Sequence, residues 1–434
     1  MTATVEKVEK KAHKEIDTRA VPEKFNYKKN VVALVKLDDY EPENIRNALV
    51  KLIELLGIKD YFKDKNIVLK PNALAAAKFT FTPPEIMVEL KKLIENKAKE
   101  IIVGDSTMTK GFTNTTFKRS KIKEMCENAG MKVINFFECQ REKVDLINPP
   151  PAAENSMYLP KEVINSDLLI NLPKLKTHGG YVYTGAIKNL FGLLSYKMTM
   201  HQTHKRKSDF QKMLADIYFA VEESNKSQMP KVLTIMDAVI AMEGKGPRGG
   251  KPRKVGLLIG GFNSAALDII GYTLMNGHPT DLEVINSIAE RTGLPNDISK
   301  LEIVGEDYKK YIVKDFKKPS IASLKKDRLP ETGLYAKIAK KFMSISIKIN
   351  GKKCLLCEEC VNNCPAGALS KEEDKIVVDR NVCVECYCCG ESCPNGAISA
   401  KWYLFRALPY MITIIGISLF FLVWFIIQLI LSFL

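Results

Sequence analysis

Eight cysteines of this chain stand in two runs of identical spacing. Cys354, Cys357, Cys360 and Cys364 form C-x2-C-x2-C-x3-C with Pro365 behind them, and Cys383, Cys386, Cys389 and Cys393 repeat the pattern with Pro394 behind. A shift of 29 residues relates the two halves and also maps Ile347 to Ile376, Asn350 to Asp379, Gly367 to Gly396 and Ala368 to Ala397. Thiolates are soft anionic ligands, suited to iron–sulfur chemistry. Three cysteines two residues apart let one loop wrap three corners of a cluster, and a distant fourth ties the halves together. Nine of the eleven cysteines fall between Cys354 and Cys393, and only Cys126 and Cys139 lie elsewhere. Such clustering is metal ligation and not a disulfide framework, which implies a reducing compartment. Zinc explains eight cysteines with two Cys-Pro endings less well. Cys388 breaks the spacing and is read as a non-ligand.

The pattern resembles bacterial-type ferredoxins with two [4Fe–4S] clusters, over residues 345–400. The resemblance implies that three thiolates of one motif join the fourth of the other. One cluster would then take Cys354, Cys357, Cys360 and Cys393, and the second Cys383, Cys386, Cys389 and Cys364.

Most of the chain must serve to position this module. Its 434 residues exceed one ordinary domain, and with 46% hydrophobic residues they can bury a sizeable core. Between 30 and 310, short apolar runs alternate with amphipathic ones. The runs predict strands at Val31–Leu37, Asn66–Leu69, Glu100–Val103, Lys132–Phe136, Asp167–Leu172, Val232–Met236, Val255–Ile259 and Leu301–Val304. Helices are predicted at Pro42–Leu56, Pro84–Asn96, Lys118–Ala129, Ser208–Glu223, Ser264–Met275 and Asp281–Arg291. This alternation predicts an α/β domain around a mainly parallel sheet. Residues 1–29 form a charged arm with no signal-peptide pattern, and 311–344 form a basic linker.

Ligands of open α/β sheets sit beyond the carboxyl ends of strands. By that test the candidate residues are Lys70, Asn72, Asp105, Lys176, His178, Asp237 and Glu243. The lysines would bind a carboxylate or phosphate, helped by backbone N–H groups of the loop Gly244–Gly250. The acids would hold a divalent metal or handle protons. His201 and His204 stand in a polar stretch and read as exposed. Asp268, on an apolar helix, is either a core carboxylate or part of the cleft. The glycines at 244, 246 and 249 match a dinucleotide fingerprint in letters, but no helix follows them, and Gly250 and Pro252 spoil a P-loop.

The segments Lys70-Pro-Asn72, Gly104-Asp105-Ser106, Asn171–His178, Ala186–Gly192 and Asp237–Pro247 together resemble the family known as domain of unknown function 362, over about 30–310. Appended ferredoxins are a known arrangement there. The family implies the domain and leaves its reaction open.

From Ala407 to Leu434 no residue is charged, which exceeds the roughly 20 apolar residues of a span. Trp402, Tyr403 and Tyr410 suit an aromatic belt, and Lys401 and Arg406 flank the amino-terminal side. A single-pass carboxy-terminal transmembrane helix at 407–434 is therefore expected, with the bulk of the protein cytoplasmic.

The net charge of +15 favours anionic partners; nucleic acid is not expected, for no basic–aromatic interleaving accompanies it. The sequence thus points to a membrane-anchored iron–sulfur redox protein whose two [4Fe–4S] clusters exchange electrons with an α/β domain holding an anionic small-molecule substrate. Its partners would be the lipid bilayer and a redox protein or quinone. The alternative is a non-catalytic electron-transfer subunit docking to a membrane oxidoreductase complex.

Overall fold

The computed structural model describes residues 30–74, 79–146, 156–197, 200–201, 204, 207–223, 231–293, 296–319 and 345–402, with Trp424 and Ile427. Its frame is a ten-stranded sheet. The main path runs Glu302–Gly305, Val31–Lys36, Lys251–Gly261, Lys231–Glu243, Leu168–Leu172, Asn66–Pro71, Glu100–Asp105, Lys132–Asn135. Lys251–Gly261 pairs antiparallel with both its neighbours, and every other pairing along the path is parallel. Two further strands, Lys174–His178 and Val182–Thr184, branch from Lys231–Glu243.

Side chains alternate between the faces of each strand. Val32, Leu34, Val232 and Met236 therefore enter one core, while Ala33, Val35, Leu233 and Ile235 enter the other. The first core is closed by the helices Lys207–Glu222, Ser264–Leu274 and Glu283–Thr292, through Phe210, Ile217, Leu267 and Ile285. The second is closed by Pro42–Leu55 and Pro84–Ile94, through Ile45, Leu49, Leu52 and Leu90. Both of these helices start on a proline, which fits a first turn because its missing N–H has no intrahelical partner there. Each fully buried Leu or Ile contributes roughly 1.5–3 kcal/mol.

All eight expected strands lie in this sheet. The helix expected at Lys118–Ala129 is instead two, Lys110–Arg119 and Ile122–Asn128, because Lys121 takes a left-handed φ of 59° between them. Lys174–His178, absent from the predicted strands, is a wholly buried strand.

The ferredoxin-like module pairs Ile345–Ile349 with Ile398–Trp402 and Leu369–Glu372 with Lys375–Val378, both antiparallel. Its internal repeat is visible in the backbone. Leu356 and Glu385, Glu358 and Tyr387, and Gly367 and Gly396 are pairs at the repeat distance, and all six have positive φ. For the four non-glycine residues this is a costly conformation, held where the cysteine loops must curl inward.

The membrane expectation is corrected. Among the described residues no helix is long and apolar enough to cross a membrane. The tail 407–434 lies outside the described residues except for Trp424 and Ile427. An apolar run of this length marks a candidate span and does not by itself establish one. The transmembrane helix is therefore withdrawn, and with it the single-pass localisation, the bilayer partner and the quinone that depended on them. The arm 1–29 and the linker residues 320–344 also lie outside the described residues.

Candidate functional site

The parallel strands Asn66–Pro71, Glu100–Asp105 and Leu168–Leu172 end on one edge of the sheet, and the candidate residues collect there. Asn72, Asp105 and His178 line a cleft of about 470 Å³ including its open mouth, together with Lys188, Lys197 and Glu391. Lys70 and Lys176 stand directly behind it. Lys70 Nζ lies 2.7 Å from Asp105 Oδ1, both side chains buried. Asp105 also accepts from the backbone N–H groups of Ala73 and Ser106, each at 2.9 Å. Lys176 Nζ donates to Asn72 Oδ1 at 2.8 Å and to the Thr80 carbonyl at 2.6 Å. Burial, reinforced by Lys174 and Lys188, pulls the Lys176 ammonium well below the usual lysine range.

Two acids fall elsewhere. Asp237 lies opposite Lys174 across the strand pairing and bonds it at 2.6 Å, with Tyr40 donating to the same carboxylate. Glu243, at the end of its strand, accepts from the Lys317 backbone N–H at 3.1 Å, while Gly244 donates to the Lys317 carbonyl. That contact fastens the start of the linker to the domain. The acids therefore do not gather around one cation. Asp268 proves to be a core carboxylate: it accepts from Tyr183 Oη and from the N–H groups of Ala186 and Ile187 at the start of helix Ala186–Leu190. Burial pushes it up to about 6 despite these donors.

The cleft is closed by the ferredoxin-like module itself. Glu391, between the third and fourth cysteines of the second motif, puts Oε1 2.5 Å from His178 Nε2 and 3.5 Å from Lys188 Nζ. His178 Nδ1 receives the N–H groups of Gly180 and Tyr181, both at 3.1 Å. Nδ1 must then be the acceptor, which leaves the proton on Nε2 facing Glu391. Burial, followed by Lys188, drives His178 down to about 4, so a neutral imidazole donates to a carboxylate. For Glu391 burial pushes upward, but Lys188 and the His178 bond outweigh it and hold the group well below the carboxylate range. Arg248 donates to the Glu391 carbonyl. At Gly179 and Gly180 an added Cβ would stand 3.2–3.3 Å from Tyr387 and the Cys386 carbonyl, so the glycine pair lets this loop approach.

Sequence reasoning missed three buried groups at this junction. Lys197 holds Ser106 and Thr107 through three acceptors at 2.6–2.8 Å. His201, expected to be exposed, is 3% exposed. Glu391 was hidden among cysteines that already explained its neighbourhood. Gly192 is also constrained: a Cβ there would stand 2.2 Å from Asp105 Oδ1 and 2.6 Å from Lys70 Nζ. Gly192→Ala is expected to destabilise the fold by about 1–3 kcal/mol through overpacking, measured by denaturant unfolding.

The thiols fit iron–sulfur chemistry. Cys354, Cys357, Cys360 and Cys393 line one small cavity. Cys389, whose thiol is pushed up first by burial, feels Cys386, Cys383 and Cys364 next. The two halves also donate matching backbone bonds to sulfur, Ala368 N–H to Cys364 and Ala397 N–H to Cys393, both at 3.2 Å. Among the described residues, the group of three metal-binding side chains with mutually close ligand atoms is His201, Cys386 and Cys388.

Fold and site together define a class: an α/β domain carrying an iron–sulfur ferredoxin-type module. Comparison with known proteins agrees. Residues 67–273 match the domain of unknown function (DUF362), and residues 346–394 match the 4Fe-4S dicluster domain. The chain is 27% identical over 298 residues to the thylakoid-associated protein sll1697 of Synechocystis sp., covering 67% of this chain and 88% of that protein. Among solved structures, the lactate racemase apoprotein of Thermoanaerobacterium thermosaccharolyticum is 16% identical, with a TM-score of 0.34 and 55% of each chain covered. A Thermotoga maritima protein is 15% identical, with a TM-score of 0.35, covering 63% of this chain and 62% of that one. The chain thus spans less than two thirds of either solved structure, and neither likeness carries an argument.

Proposed function

We propose that this chain is an iron–sulfur electron carrier whose α/β domain is a docking platform for the ferredoxin module. The observation that carries this is Glu391. His178 and Lys188, which line the cleft, already hold a carboxylate that belongs to the module. The other candidate groups are likewise engaged: Lys70 with Asp105, Lys176 with Asn72, Asp237 with Lys174, and Glu243 with the linker. This favours a non-catalytic electron-transfer subunit, docking to an oxidoreductase partner, over a substrate-binding enzyme.

Two [4Fe–4S] clusters would supply one-electron transfer. Cys354, Cys357, Cys360 and Cys393 would hold the first, and Cys383, Cys386, Cys389 and Cys364 the other. The two sets meet different surroundings. Cys357 and nearby Leu355 are exposed, whereas Cys386, the equivalent of Cys357 in the repeat, is less exposed and has its carbonyl against Gly180 of the α/β domain. The set that includes Cys357 therefore offers the face on which a redox partner would dock, while the set that includes Cys386 lies toward the α/β domain.

The test is anaerobic reconstitution with iron and sulfide analysis. The full chain should bind about eight iron atoms, twice the content of one [4Fe–4S] cluster. Cys393→Ala and Cys354→Ala should each halve the iron and abolish the same electron paramagnetic resonance signal, although the two cysteines belong to different motifs. An iron-free wild-type chain would refute the proposal. Different signals lost by the two variants would refute the crossed ligand sets.

A further inference from the structure

The sequence repeat makes the two cysteine sets twins, yet one ligand has neighbours its twin lacks. Cys386 corresponds to the exposed Cys357. Beside Cys386, a ring nitrogen of His201 and the sulfur of Cys388 lie within 4.8 Å of its sulfur and of one another. Cys388 corresponds in the repeat to Glu359, and His201 comes from the α/β domain; among the described residues no equivalent group is found at the first set.

His201 is held by rings. It stacks on Phe210 with centroids 4.3 Å apart and planes at 7°, and meets Phe191 edge-on at 5.6 Å. Its Nδ1 is buried without a hydrogen-bond partner among the described residues. A buried polar nitrogen without a partner costs about 1–3 kcal/mol; the ring is flanked by the two phenylalanines, and one of its nitrogens lies within 4.8 Å of both sulfurs. An imidazole N–H can donate in either protonation state, and a ligating sulfur is an acceptor.

We infer that His201 is a positioning residue for the second cluster: it donates a hydrogen bond across the domain junction to the sulfur of Cys386 and thereby sets that cluster's reduction potential. Cys388 crowds the same sulfur from within the module and supports the same polarity. Hydrogen bonds to ligating sulfurs stabilise the more negative, reduced state and raise the potential. The backbone donors to Cys364 and Cys393 cannot distinguish the two clusters, because each ligand set receives one of them. His201 can.

This rests on the electron-carrier reading, and one experiment separates the two. The reconstituted full chain is titrated potentiometrically with detection by electron paramagnetic resonance, as wild type, His201→Leu and His201→Asn. In His201→Leu one midpoint should fall, lowering the reduced-to-oxidised ratio at a fixed poise about tenfold, or about 59 mV for one electron. The other midpoint should stay put, and His201→Asn, which keeps an N–H donor, should recover part of the shift. Iron-loaded variants with both midpoints unmoved overturn the inference alone. Loss of the second cluster from both variants, with the first retained, makes His201 a ligand and also overturns it. A wild-type chain without iron removes the electron-carrier reading and this inference together.

Discussion

Glu391→Ala is expected to release the ferredoxin module from the α/β domain. The substitution leaves His178 Nε2 and Lys188 Nζ without the carboxylate they share, in a cleft where His178 is fully buried. Removing one partner of a buried ionic or charge-assisted pair costs about 3–5 kcal/mol, because the survivor stays desolvated. Hydrogen exchange at the Gly180 and Tyr181 amides, which donate to His178, should accelerate by about two to three orders of magnitude. Small-angle scattering should show a larger particle. Glu391→Gln keeps an acceptor for His178 and should fall between the two. Unchanged scattering and exchange in Glu391→Ala would mean that docking does not depend on this contact.

Asp105→Ala should destabilise the α/β domain by about 3–5 kcal/mol in denaturant unfolding, for the same electrostatic reason. Lys70 is 0% exposed and would lose its only carboxylate among the described residues. Burial already pulls the Lys70 ammonium downward, and Asp105 opposes that pull. The variant also strands the N–H groups of Ala73 and Ser106. Lys70→Met combined with Asp105→Asn should therefore recover the ionic part of the loss, while one amide remains poorly served. A cost under about 1 kcal/mol for Asp105→Ala, with altered binding of a phosphate or carboxylate, would return Lys70 to the role of a ligand-binding group.

The sequence carried the sheet because its strands are continuous apolar runs, and such runs read the same way wherever they sit. It also carried the iron–sulfur module, since the cysteine spacing is itself the chemistry. What it could not carry were contacts made across hundreds of residues. Glu391 meets His178 at a separation of 213 positions, and no local pattern marks either as a partner of the other. His201 reads as solvated because its neighbours in sequence are polar, while Phe191 and Phe210, which bury it, come from flanking elements. The break at Lys121 was illegible too: a left-handed lysine leaves no signature in an amphipathic run. The apolar tail shows the opposite error, a composition read as a structure.

The pin between Glu243 and Lys317 fixes where the tether to the ferredoxin module begins. Docking is then an intramolecular association, for which effective concentrations can reach the order of millimolar. A contact that would hold two separate molecules with a dissociation constant of about 10 μM would keep the tethered pair about 99% closed. The junction can thus be modest in strength, nearly always shut, and still open on its own often enough to lend the module to another protein.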